Sequence, residues 1–133
     1  MRSFIIASAV LVGSSMGAFG ADAPNLVGSW TRTTVTMVLS KGKTGKPLFI
    51  HGGDQVWKIQ IDTQESGSFS GTLTGSTPKS QTIVGAFHPD GKRFVFSSEH
   101  DSGSGEVNGD ELQYCWTNPS PVAAGCATFK KDK

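Results

Sequence analysis

The chain has 133 residues, 12 Lys and Arg against 11 Asp and Glu, and a formal charge of +1, which leaves room for one domain and excludes a second. Glycine, at 17 residues, is about twice its usual share, and charged residues, at 17%, fall below the typical figure of about a quarter. Eight Phe, three Trp and 36% hydrophobic content suit a small core and argue against wholesale disorder, and the near-neutral balance gives no support to a nucleic-acid or anionic-membrane role.

Residues 1–20 carry one charge, Arg2, then the apolar run Phe4 to Val12, then small residues ending Ala18-Phe19-Gly20. That three-part pattern predicts a signal peptide cut after Gly20. The run is well short of the roughly 20 residues that span a bilayer. Cleavage removes Arg2 and leaves 113 residues, 21–133, with 11 basic and 11 acidic side chains. The expected organisation is therefore a signal peptide at 1–20 and one barrel domain at 21–133, periplasmic or secreted. No Cys follows the cut, so no lipid anchor is expected. Cys115 and Cys126, an even pair in a chain bound for an oxidising compartment, predict a disulfide. Two cysteines without nearby His are too few ligands for zinc.

Beyond the polar leader Ala21 to Asn25, turn residues recur every 8 to 12 positions and no helical period appears. Thr, Val, Ile, Phe and Trp fill the runs, so the chain reads as all-β. The first strand is expected from Val27 to Leu39, with Thr31, Thr33, Val35 and Met37 on one face and Trp30, Thr34, Thr36 and Val38 on the other. Ser40 to Gly53 reads as a long loop with Lys41, Lys43 and Lys46 and an apolar island, Leu48-Phe49-Ile50. Asp54 to Asp62 alternates, placing Trp57, Ile59 and Ile61 together. After a turn at Gln64 to Gly67, the next strand sets Phe69, Gly71 and Leu73 on one side. Lys79 to Phe87 and Arg93 to Ser98 flank the turn signal Asp90-Gly91, in a register that pairs Phe87 with Phe94 and Gly85 with Phe96. Asp101 to Val107 and Asp110 to Thr117 flank Asn108-Gly109, with Gly103 opposite Tyr114 and Gly105 opposite Leu112. A Cys115–Cys126 bridge fixes the last register. Tyr114 then faces Ala127, Leu112 faces Phe129, and the disulfide lies on the opposite face from Leu112, Tyr114, Trp116 and Phe129. Asn118 to Pro121 turns the chain between these two strands.

About eight strands in meander order, each with one apolar face, predict a single antiparallel barrel, since closure removes exposed edges. A membrane barrel is disfavoured, because Lys58 and Gln60, or Ser70, Thr72 and Thr74, are poor lipid contacts.

The sequence Leu26-Val27-Gly28-Ser29-Trp30 opens the first strand with G-x-W, and in that position it resembles the calycins: lipocalins, fatty-acid-binding proteins and avidins. In those families the Trp closes one barrel end beneath a basic residue of the last strand. The resemblance implies that role for Trp30, with Lys130 or its neighbour Lys131 as partner, Lys130 being the first choice. It also implies a lid over the ligand mouth, here Ser40 to Gly53. Phe69-Ser70-Gly71-Thr72-Leu73 and Ala127-Thr128-Phe129-Lys130 resemble avidin strands in particular. Avidins, however, hold biotin with several Trp beyond the first, where this chain has only Trp57 and Trp116, so biotin binding is not carried over. Most of the mature chain also resembles a group of uncharacterised small exported proteobacterial proteins with a G-x-W start and a C-terminal Cys pair.

No catalytic motif is present: no G-x-S-x-G, H-E-x-x-H, C-x-x-C or phosphate loop. His51, His88 and His100 fall in expected loops and turns, and Glu99, Asp101, Glu106, Asp110 and Glu111 lack calcium-loop spacing. No enzyme, metal or cofactor is therefore expected. Trp57, Phe69, Tyr114 and Trp116 are the candidate ligand contacts, or else plain barrel filling. Phe49 is the candidate lid residue. The expected function is an exported binding protein that holds a small apolar or aromatic molecule in the barrel. The alternative is an inhibitor or interaction module for a periplasmic or extracellular protein, acting through the Ala21 to Asn25 leader and the 40–53 loop. Some bacterial protease inhibitors resemble the chain in being small exported barrels with such a leader. Neither reading involves nucleic acid or a membrane span after cleavage.

Overall fold

A computed structural model describes residues 23–53, 55–75 and 79–133. The expected signal peptide, its cut, and leader residues Ala21 and Asp22 lie outside them. The described residues form nine strands and no helix: β1 Gly28–Leu39, β2 Leu48–His51, β3 Lys58–Glu65, β4 Ser68–Thr74, β5 Gln81–Phe87, β6 Arg93–Ser98, β7 Ser102–Asn108, β8 Glu111–Pro119 and β9 Val122–Lys131. All pairings are antiparallel, and β3 to β9 follow one another in chain order. Strand β1 pairs with both β3 and β9, which closes an eight-stranded barrel as expected, and β2 is an extra strand laid along β1.

Local chemistry sets the hairpins. Between Glu65 and Ser68, Ser66 and Gly67 both take positive φ, 50° and 78°, the hand that matches strand twist in a two-residue loop. Asp90 holds the next turn, accepting from the Lys92 and Arg93 backbone N–H groups at 2.9 and 3.0 Å and from Arg93 Nε at 2.6 Å. Those bonds keep the Asp90 carboxyl well below the usual carboxylate range. The expected registers of Phe87 with Phe94, Gly85 with Phe96, Cys115 with Cys126, Tyr114 with Ala127 and Leu112 with Phe129 are all observed. The Cys115–Cys126 disulfide is formed on the exposed outer face.

Inside, alternation buries Ile59 and Ile61, Phe69 and Leu73, Phe94 and Phe96, and Leu112, Tyr114 and Trp116. Glycine faces the bulk. A Cβ on Gly105 would overlap the Phe94 ring, and one on Gly85 the Phe69 ring, so these positions give the aromatic side chains their space.

The structure corrects several sequence expectations. The register of β1 against β9 shifts between Arg32 and Thr34. The extra residue, Thr33, lets Trp30 and Val35 both point inward, where strict alternation had put them on opposite faces. The turn after β7 is Gly109-Asp110, with Gly109 at φ 64°, so Gly105 faces Tyr114 and Gly103 faces Trp116, two residues from the expected register. Strand β3 starts at Lys58 rather than Asp54, a residue outside the described set, and β5 starts at Gln81. The 40–53 segment is not all loop: β2 pairs Leu39 with Leu48 through Thr36 with His51, which also takes His51 out of the loop.

Candidate functional site

One barrel end is shut by its own chain. Leu26 is fully buried beneath Trp30, whose Nε1 donates to the Leu26 carbonyl at 2.8 Å. Gln64 clasps the same strap, its Oε1 accepting from Leu26 N–H at 2.7 Å and its Nε2 donating to the Pro24 carbonyl at 2.9 Å. Lys131 lies 5.3 Å from the Trp30 ring centre and donates to the Asn25 carbonyl at 2.9 Å. The basic partner of Trp30 is thus Lys131. Lys130, the first choice from sequence, is exposed, because Trp30 stands across from Lys131 in the β1–β9 ladder. The strap also ties down Pro24 and Asn25, the last two of the five leader residues expected to reach a partner.

The other end carries the aromatic group. Trp57 and Trp116 sit 5.4 Å apart, Trp116 and Tyr114 5.4 Å, and Tyr114 stacks on Phe129 at 5.3 Å and meets Phe96 edge-on at 4.8 Å. Arg32 lies 5.1 Å from the Trp57 ring centre and donates to the Gly53 carbonyl at 2.7 Å. The sequence reading passed over Arg32, because its role depends on the bulge at Thr33. Trp57 Nε1 is buried with no hydrogen-bond partner among the described residues. Burial pushes the Tyr114 hydroxyl above its ordinary range, Asp101 adds to the rise and Arg32 opposes it. Burial likewise raises Asp101.

Trp57, Tyr114 and Trp116 are therefore brought together. Phe69, in the same core, makes its ring contacts instead with Phe87 and Phe94, at 6.0 and 5.6 Å. The space left between Ile59, Ile61, Phe69, Phe96, Leu112 and Tyr114 is about 20 Å³, whereas small-molecule pockets occupy about 300–1,000 Å³.

Phe49 does not cover the mouth. It pairs with Val38 on the outer wall and is 67% exposed. Around it an open groove of about 700 Å³ is lined by Val38, Pro47, Phe49, Pro119, Val122 and Ala124, with Ser40, Ser102, Thr117, Asn118 and Ala123. Val122 is itself 60% exposed. It went unremarked in the sequence, although an apolar residue directly after the Ser120-Pro121 turn is the signal that marks it.

The chain matches no protein-family model and no curated protein. Its fold is similar to that of transferrin binding protein B, a vaccine antigen from Actinobacillus pleuropneumoniae solved as a point mutant. The TM-score is 0.56 at 12% identity, with 86% of this chain covered. This chain spans 66% of that protein's length, just under two thirds. A redesigned β-barrel is also similar, at TM-score 0.49 and 12% identity, over 81% of this chain and 92% of that one. At this identity the first likeness speaks for the fold: a closed antiparallel barrel.

Proposed function

We propose that this protein is an exported, non-enzymatic binding protein that engages another protein through the outer wall beside its 40–53 loop. The observation that carries this reading is the distribution of space. The interior is packed with its own aromatic side chains and leaves about 20 Å³, while an apolar groove of about 700 Å³ lies open around the exposed Phe49. A large exposed aromatic in an apolar groove is the usual mark of an interaction surface. The calycin-like closure of Trp30 by Lys131 supports membership of that barrel class. The formed disulfide supports the periplasm or the exterior as location. The similarity to a protein named for binding transferrin adds an instance in which a barrel of this shape belongs to a protein-binding protein.

Native mass spectrometry of the protein purified from its own compartment, beside a denatured control, tests this. The expected result is a retained protein partner and no small-molecule mass lost on denaturation. Release of a small apolar molecule returns the function to the barrel mouth at Trp57 and Trp116.

A further inference from the structure

Resting on the reading above, we infer that the groove around Phe49 takes an acidic segment of a partner protein, with a large apolar side chain seated against Phe49, Val38 and Val122 and carboxylates beside the Lys41, Lys43 and Lys46 loop. The floor is built by register. Val38 stands opposite Ala124 across the β1–β9 ladder and opposite Phe49 across the β1–β2 ladder, and Pro119 stands opposite Val122. Small residues in the middle, Ala124 and Ala123, with Phe49 and Pro47 beside Val122 and Pro119, leave an open trough of about 700 Å³ that admits a large apolar side chain of a partner.

Charge selects the occupant. Lys41, Lys43 and Lys46 fall in the one connection between β1 and β2, all three exposed. The loop is held by Gly42 N–H donating to the Lys46 carbonyl at 2.7 Å and Gly45 N–H to the Gly42 carbonyl at 3.0 Å. Among the described residues the ion pair is Arg93 with Asp90, on another hairpin, and none of the three ammonium groups pairs with a described carboxylate. Ser40 and Pro47, the residues that flank this basic turn, line the groove. A basic rim next to an apolar trough steers and registers an acidic partner and repels a basic one. The larger groove on the opposite wall, about 920 Å³ over Ser68, Ser70, Val84, Val95 and Ser97, has Glu65 as its charged lining residue and no exposed aromatic. Its exposed Val84 and Val95 are apolar, but its lining has neither a basic residue nor an exposed aromatic.

Panning a displayed library of random linear peptides against the intact exported protein tests the inference. Enriched peptides are expected to carry Asp or Glu beside Trp, Phe or Leu. Their affinity is expected to fall at least about tenfold in Phe49→Ala. It is expected to fall further in the triple variant Lys41→Glu, Lys43→Glu, Lys46→Glu, and to weaken steeply with added salt in the parent. Both changes lie on exposed side chains, and an unchanged circular dichroism spectrum confirms the fold. Enriched peptides without acidic residues, no enrichment, or binding indifferent to Phe49→Ala each overturn the inference. So does binding by the same residues to phosphatidylglycerol vesicles, or a concentration-dependent dimer that Phe49→Ala dissolves. Any of these leaves the native mass result to judge the broader protein-binding reading separately.

Discussion

Trp30 is where sequence, packing and closure meet. Its ring is fully buried, its indole N–H is satisfied by the Leu26 carbonyl, and its face receives the Lys131 ammonium. Truncation therefore removes a large apolar side chain and takes one anchor from the Leu26 strap, Gln64 and Lys131 remaining. Trp30→Ala is expected to lower unfolding free energy by about 3–5 kcal/mol. Lys131→Ala, which loses one cation–π contact and one bond to Asn25, is expected to lose about 1 kcal/mol. Urea titrations of both variants measure the difference; equal losses would show that the lysine, not the ring, is the keystone. The Trp two positions after Gly28 was legible in the sequence, and a closing role was what the calycin resemblance implied for it. Which lysine answers it was not, because that choice turns on a one-residue bulge 95 positions away from Thr128, at Thr33, where the hydroxyl donates to the Thr128 carbonyl. Periodicity assumes unbroken alternation, and barrel coiling breaks it at places that no single residue type announces.

At the scale of the strand pair, β8 and β9 are joined twice, by their ladder and by Cys115–Cys126. The bridge encloses a sequence separation of 11 and sits outside the core, so its contribution is restraint of the unfolded chain. Replacing both cysteines with Ala is expected to cost about 3 kcal/mol, read as a fall in denaturation midpoint with an unchanged far-ultraviolet spectrum. Loss of the fold altogether would show that the bridge is needed to set register. The β5–β6 turn carries a different dependence. Asp90, whose carboxyl is held below its ordinary value by backbone and Arg93 donors, favours the folded state while it is ionised in both states. That advantage is lost as pH falls from the ordinary Asp range through the depressed folded value. The melting-temperature gap between the parent and Asp90→Asn is expected to shrink across that acid window, and a gap constant with pH would sink the assignment. Asn108-Gly109 marked its turn one residue early and the β7–β8 register two residues off, whereas the hairpin at Asp90-Gly91 and the one with the covalent clamp were readable at residue resolution. Strand β2 was not: Leu48-Phe49-Ile50 is too short to show a period, and its partner is chosen by the free edge of β1 past Thr31, where β3 stops pairing. The candidate site shared that fate, since a groove built from β1, β2, β8 and β9 has no signature along any one of them.

For the whole molecule the decisive contact is the longest one. Trp30 pairs with Lys131 and Leu39 with Ala123, so the first barrel strand is zipped to the last along almost its entire length. Loop-closure entropy must be met before that pairing gains anything. The expected consequence is a single cooperative transition, with Trp fluorescence and circular dichroism coincident, and refolding in the millisecond-to-second range of non-local β topologies. Microsecond refolding, or probes that separate, would mean that a partial sheet is stable without closure. The same zipper sets an order of events during synthesis. Until Val122 to Lys131 is made, the edge of β1 that β9 will occupy presents a row of unsatisfied backbone donors and acceptors, the kind of edge that recruits strangers. Whatever escorts the nascent chain meets an open, adhesive sheet, and the last strand to emerge is the one that takes that edge out of reach.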